Sequence, residues 1–367
     1  MEQCRLRELE DQCIQECPAP CTAGCPAHVD VRALTSAIAA GDFASAAKTF
    51  QKSIPFPEII ARTCNQPCQT HCYRSERGGV IEVAALERAC LQFAPEIEIK
   101  PTLLPKRGAK VAVIRSGLAG LTAAFELSKK GYLVSLFEAE DHLGGRLWQL
   151  PETVLPRELI QKETAILHQT GVNIYLSELV DQRFVSENMF DTWFLDIGEH
   201  GLVPFDLQRD EHHHPILDSI TFQTSLAHVF SVPIQSSTIQ AVSDGRRAAI
   251  SIDRFLQKVS LTASRLNEGS FETRLVTNVS KIETSERVPT HEDGYSQEEA
   301  IQEAKRCLQC DCMECVKVCE YLKHYGSYPK KYIREIYNNL SIIMRARSAN
   351  KLRSEEHTSE LQSHSFI

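Results

Sequence analysis

Residues 109–140 read AKVAVIRSGLAGLTAAFELSKKGYLVSLFEAE. An apolar run is followed by a small-residue turn, a stretch of helical period and a second apolar run ending at Phe137. That order predicts strand, tight turn, helix, strand. It is the opening βαβ unit of a doubly wound α/β domain, placed at residues 109–260. The turn of such a unit needs glycines for the sharp bend, for close backbone approach to a pyrophosphate and for packing of helix on strand. Arg115-Ser116-Gly117-Leu118-Ala119-Gly120 keeps the second and third glycines, Gly117 and Gly120, and carries arginine in place of the first. Glu138 closes the second strand, where an acid can bind a ribose hydroxyl. Arg115 either collides with a phosphate or lends it charge, and the residues leave both readings open.

The cysteines frame this unit. Of fourteen, nine fall at or before Cys90 and five between Cys307 and Cys319, with none between. Thiols merely tolerated in a core would be scattered. Cys13, Cys17, Cys21 and Cys25 form one group, and Cys64, Cys68 and Cys72 a second, each with three residues between neighbours. Cys21-Thr-Ala-Gly-Cys25-Pro26 matches the C-x3-C-P ending of ferredoxin-type iron–sulfur runs. Structural zinc favours paired C-x2-C knuckles, which neither N-terminal group has, so zinc and disulfides are the lesser alternatives. The region 1–98 reads as helical: Asp30 caps a helix with Val31, Leu34 and Ile38 on one face, and Pro55 and Pro57 punctuate the next turn.

Bulk numbers narrow the function. A formal charge of −8 argues against nucleic acid as a partner. No apolar run has the length of a membrane span, and the charged start MEQCRLRELE lacks the apolar segment of a secretory signal. A cytoplasmic location is expected, where so many thiols point to metal ligation.

CTAGCPAHVDVRAL, PFPEIIARTCNQPCQTHC and GGVIEVAALERAC together resemble the two-cluster domain of the glutamate synthase small subunit and of dihydropyrimidine dehydrogenase. The likeness is strongest to bacterial pyridine nucleotide-disulfide oxidoreductase/dicluster-binding proteins and runs, with gaps, from Cys4 to Leu352. It implies one [4Fe–4S] cluster on Cys13, Cys17, Cys21 and Cys72, and another on Cys25, Cys64, Cys68 and Glu87. The family often places the second cysteine one residue earlier, where this chain has Glu16. Spacing alone leaves Glu87 equally readable as a solvated helix carboxylate, and Cys4 and Cys90 as ordinary thiols. In the middle domain the resemblance implies an FAD site with contributions from Gly144-Gly145-Arg146 and from a closing helix that begins at Ser237. Two departures stand out: Arg115, and Ser231-Val232-Pro233-Ile234 where the family has Gly-Gly-Asp. No second glycine-rich unit follows Phe190-Asp191-Thr192-Trp193-Phe194-Leu195-Asp196-Ile197-Gly198, so no NAD(P) site is expected. His212-His213-His214 reads as a solvated loop.

Residues 261–295 are polar and aperiodic, a linker. Ser296 and Glu299 form a capping box for a helix leading to Cys307, and Pro329 opens another helix. Cys307, Cys310, Cys312, Cys315 and Cys319 resemble the first half of a two-cluster ferredoxin module, placed at 296–352, with its second run expected beyond Leu352. Residues 353–367, beginning RSEEHTSELQSH, resemble the translation of a sequencing adapter and are expected to be foreign to the fold.

The expected fold is therefore α/β multidomain: a helical two-cluster domain, a Rossmann-like FAD-type domain without an NAD(P) subdomain, and a partial ferredoxin-like module. The expected function is an iron–sulfur, flavoprotein-like electron-transfer subunit of an oxidoreductase, working with a redox partner subunit or electron carrier. The alternative is a non-catalytic scaffold whose flavin site has degenerated. No catalytic base is nominated.

Overall fold

A computed structural model describes residues 3–95, 101–196, 198, 203–234, 237–291 and 294–343. The tail 353–367 lies outside the described residues. The chain divides into two units, one drawn from Met1–Ala19, Thr273–Ile282 and Cys310–Ile367, the other from Pro20–Glu272 and Glu283–Gln309.

The second unit holds the sheet. Five strands, β1 (Lys110–Ile114), β2 (Leu133–Phe137), β3 (Asn173–Tyr175), β4 (Thr192–Leu195) and β5 (Val229–Ser231), run parallel in the order β3-β2-β1-β4-β5. Val111 pairs with Val134 on one side and Thr192 on the other. Order and direction are those of a doubly wound sheet, which changes hand between β1 and β4. β1 and β4 are almost wholly buried, as the continuous apolar runs required.

The helices Leu118–Lys129 and Thr238–Leu256 pack against each other. Their contact is close at Gly245, where a Cβ would lie 2.9 Å from Thr122 Cβ. Elsewhere an apolar group of Ile114, Phe137, Trp193, Phe205 and Leu207 gathers, with the Trp193 and Phe205 rings 5.5 Å apart. The segment after β4 thus contributes side chains to a core instead of opening a second βαβ unit. Among its described residues Asp210 Oδ1 accepts the N–H groups of His212 and His214, each at 2.9 Å, which folds the triple histidine into a turn.

The helical part of the same unit follows local signals. Asp30 accepts the Ala33 N–H at 3.1 Å and caps the helix Val31–Ala39, with Val31, Leu34 and Ile38 buried. The capping box of Ser296 and Glu299 is formed in full at the helix Gln297–Lys305. These helices join the sheet in one continuous apolar core.

Residues 261–295 have no described helix or strand, as expected, but they do not wander freely. Arg265, only 7% exposed, donates to Ser251 Oγ at 2.5 Å, to the Arg247 carbonyl and to Glu268. Further on, Glu303 and Arg306 pair at 2.7 Å with both side chains buried. Glu303 also accepts the N–H groups of Glu82 and Val288, while Arg306 donates to the carbonyls of Gly78, Gly79 and Ser285. Three distant stretches of chain close on this one ion pair.

In the first unit the helix Gln3–Gln12 lies against the helix Pro329–Ile343. Arg334 bridges Glu10 at 2.6 Å and Glu16 at 2.5 Å, and Tyr328 donates to Glu16 at 2.8 Å.

Candidate cluster-binding core and dinucleotide turn

The short helix Pro20–Gly24 packs on the 3-10 turn Pro67–His71. Any side chain at Gly24 would overlap the His71 ring, so glycine permits the approach that sets Cys21 and Cys25 beside Cys68. Cys25 and Cys68 are buried at 5% and 6% exposure, and Cys21, Cys64 and Cys72 pack against the same core. Burial first, and then the charge of Glu87 and of neighbouring thiols, raises the proton affinity of Cys68. The same two influences push Cys64 up to about 12. Around Cys25 the backbone N–H groups of Val29, Ala27 and His28 oppose the rise that burial causes, and Gln66 N–H donates to Cys64 Sγ at 3.3 Å.

Glu87 sits among them on the helix Val83–Phe93. It is 6% exposed, which rules out a solvated carboxylate, and burial lifts it to about 8 against the opposing charge of Arg88. To be ionised at neutral pH it would need more positive charge than Arg88 supplies. Three thiols within electrostatic reach of one buried carboxyl, in an apolar surround, suit a polynuclear iron core in donor chemistry and charge. Among the described residues no group of three or more His, Cys, Asp or Glu is drawn tightly enough to hold a metal ion, whereas an iron–sulfur cluster spreads its ligands over several irons.

The other cysteines are divided between the two units. Cys13 and Cys17 belong to the first unit, Cys21 and Cys72 to the second. Cys307 is also in the second unit, beside Cys72 and bonded to Thr35 and the Gln309 backbone. Cys310, Cys312, Cys315 and Cys319 are in the first unit, where Cys315 lies within electrostatic reach of Cys13 and Cys312. Gln15 accepts the Cys312 N–H at 2.6 Å. Glu16, where the family often has a cysteine, is taken up by Arg334 and Tyr328. Cys4 is exposed and Cys90 buried, its thiol donating to the Glu87 carbonyl.

The glycine turn is built as expected but is already filled. Arg115 has φ +75°, the left-handed conformation that favours glycine, and its guanidinium lies 3.8 Å from Glu138. Glu138 accepts Ser116 N–H at 2.7 Å, Ser116 Oγ–H at 2.6 Å and Glu140 N–H at 3.2 Å, so the expected ribose acceptor is engaged by the chain itself. Gly117 caps the helix Leu118–Lys129. Gly120 N–H donates to Asp196 Oδ2 at 2.7 Å. Gly144 N–H donates to Ser116 Oγ at 3.1 Å, which lays the Gly144-Gly145-Arg146 loop on the turn, and Arg146 acts electrostatically on Asp196. Ser237 caps its helix through Gln240 N–H at 3.3 Å, and Ser231 Oγ donates to the Leu195 carbonyl. Asp196 was not among the residues singled out in the sequence. The available signal was an acid ending a buried apolar strand.

Three family models match: dihydropyrimidine dehydrogenase domain II with its 4Fe-4S cluster over residues 4–99, an NAD(P)-binding Rossmann-like domain over 113–183, and a 4Fe-4S dicluster domain over 306–361. The resemblance read from the cysteines holds. The chain is 30% identical over 206 residues to the NADPH-Fe(3+) oxidoreductase subunit beta of Geobacter sulfurreducens, covering 54% of this chain and 31% of that one. It is 27% identical to the NADP(+)-dependent formate dehydrogenase subunit beta of Moorella thermoacetica, over 74% of this chain and 41% of the relative. It is 30% identical to the glutamate synthase [NADPH] small chain of Bacillus subtilis, over 41% of this chain and 31% of the relative. The chain therefore spans less than half the length of these curated relatives. The Rossmann-like match runs partly against the expectation of no NAD(P) site. The glycine turn is a handle common to dinucleotides, and its sequence does not by itself separate FAD from NAD(P).

Proposed function

We propose that this chain is an iron–sulfur electron-transfer subunit of an oxidoreductase, working with a partner subunit or carrier. The observation that carries this reading is that Cys25, Cys64 and Cys68 pack in or against the core within electrostatic reach of the buried Glu87. These four would hold one [4Fe–4S] cluster, and Cys13, Cys17, Cys21 and Cys72 are proposed for the other. Cys307, Cys310, Cys312, Cys315 and Cys319 are proposed to serve a C-terminal cluster. A bound cluster supplies one-electron transfer. The apolar wall around Cys25 and Cys68 limits water at the sulfurs, and the N–H donors at Cys25 and Cys64 offset negative charge there, both of which tune potential.

The flavin half of the expectation finds a poor fit. With Glu138 already accepting three hydrogen bonds from its own chain, Arg115 in the first glycine position and a carboxylate at the helix N-terminus, the residues do not suit FAD. The same obstacles face NAD(P). Two-electron chemistry is assigned to the partner. No helix among the described residues is long and apolar enough to cross a membrane.

Anaerobically purified full-length protein should contain at least about eight irons per chain for the two N-terminal clusters. Electron paramagnetic resonance of the reduced protein should show their signals. Stoichiometric zinc, or no metal after reconstitution, would refute the reading. The chain alone should also fail to reduce a dye at the expense of NADH or NADPH. Steady turnover with either nucleotide would return the two-electron step to this subunit.

A further inference from the structure

We propose that Asp196 is a built-in occupant of the dinucleotide turn, its carboxylate standing where a pyrophosphate would sit and keeping FAD and NAD(P) out.

The N-terminus of a helix in a βαβ unit attracts anions through its free N–H groups and its dipole. Here the anion comes from the chain. β4 pairs with β1 so that Leu195 lies opposite Ile114, and the Asp196 N–H continues the ladder to the Ile114 carbonyl at 3.0 Å. That register delivers the next side chain to the crevice between β1 and β4, the place where doubly wound sheets bind ligands. Asp196 Oδ2 then takes the Gly120 N–H at 2.7 Å. It lies so close over Gly117 that a Cβ there would be 2.5 Å from it. Gly117 and Gly120 are thus used for close approach, but to a carboxylate of the same chain.

The side chain is 8% exposed, so it has no open solvent to swing into without breaking this bond. Arg146 faces it with positive charge, Glu138 and Asp244 with negative charge. A diphosphate entering the turn would meet Asp196 head-on and would add its charge to two further carboxylates. A tethered group also competes at a high effective concentration that a free ligand must exceed. The phosphate seat is therefore occupied by Asp196, while Glu138 at the ribose seat already takes three bonds from its own chain.

The test uses full-length protein titrated with FAD, ADP and adenosine by calorimetry, as wild type, Asp196→Ala and Asp196→Asn. Asp196→Ala should tighten FAD and ADP at least tenfold and leave adenosine unchanged, because adenosine has no phosphate to place in the turn. Asp196→Asn, which keeps the size and removes the charge, should give a smaller gain in the same direction. Near-UV circular dichroism and iron content on the same samples report folding and cluster loading. Iron content is expected to be unchanged, which keeps this result distinguishable from the proposed electron-transfer role. If Asp196→Ala fails to fold, Asp196→Asn is decisive alone. Stoichiometric FAD in the wild type, no gain for ADP in a folded variant, or an equal gain for adenosine would each overturn the proposal.

Discussion

Glu87→Ala is expected to cost the protein about four of the about eight irons of the N-terminal clusters and to erase one of their two reduced-state paramagnetic signals, leaving the other. The two proposed ligand sets share no residue, so damage to one need not reach the other. The outcome separates a ligand from a structural acid by sign. A buried carboxyl that merely sits in a core is a burden, and its removal should be neutral or stabilising apart from the cavity left behind. A ligand removed from a metal-coupled fold instead lowers both iron content and stability. Iron analysis with a redox titration reads the first, and thermal unfolding of the same variant reads the second. Unchanged iron and both signals intact would make Glu87 a structural acid.

Arg306→Ala should destabilise the second unit by about 3–5 kcal/mol, the usual cost of leaving a buried charge without its partner. Glu303 is fully buried and would keep two backbone N–H donors but lose its cation. The carbonyls of Gly78, Gly79 and Ser285 would lose their donor as well. Glu303→Gln offers one acceptor oxygen where Glu303 uses two, Oε1 for Glu82 and Oε2 for Val288, so it strands one of those N–H groups while leaving Arg306 its carbonyl partners, and it should lower the midpoint as well. Urea unfolding followed by far-UV circular dichroism orders the three proteins. Equal midpoints for wild type and Arg306→Ala would show that the pair contributes nothing measurable.

Much of this fold was legible because its signals are local. The βαβ unit at 109–140 declares itself by period and by small residues at the turn, and Asp30 and Ser296 cap helices with partners three residues away. That Cys25 belongs with Cys64 and Cys68 was implied by the family resemblance, since spacing alone groups it with Cys13, Cys17 and Cys21. Asp196 was not legible, because its partner Gly120 is 76 residues away and the two meet only through the register of β4 on β1. Arg265 likewise looks like a solvated residue in a polar linker, yet it folds back and is buried against Ser251 and Arg247, 14 and 18 residues earlier on the preceding helix. Glu303 and Arg306 read as an ordinary surface pair at helical spacing. Their burial depends on carbonyls more than 200 residues upstream, which no local pattern encodes.

That long-range closure also sets an order of events for a growing chain. The carbonyls of Gly78 and Gly79 and the N–H of Glu82 remain without their partners until synthesis reaches residues 303–306, and Thr63 likewise waits for Thr238. Cys64, Cys68 and Cys72 thus leave the ribosome well before the segment that locks their surroundings. Contacts this distant in sequence form slowly, so the thiols pass through an interval in which they are accessible to oxidants and to stray metal ions. Correct loading of iron then becomes a race against the completion of the chain.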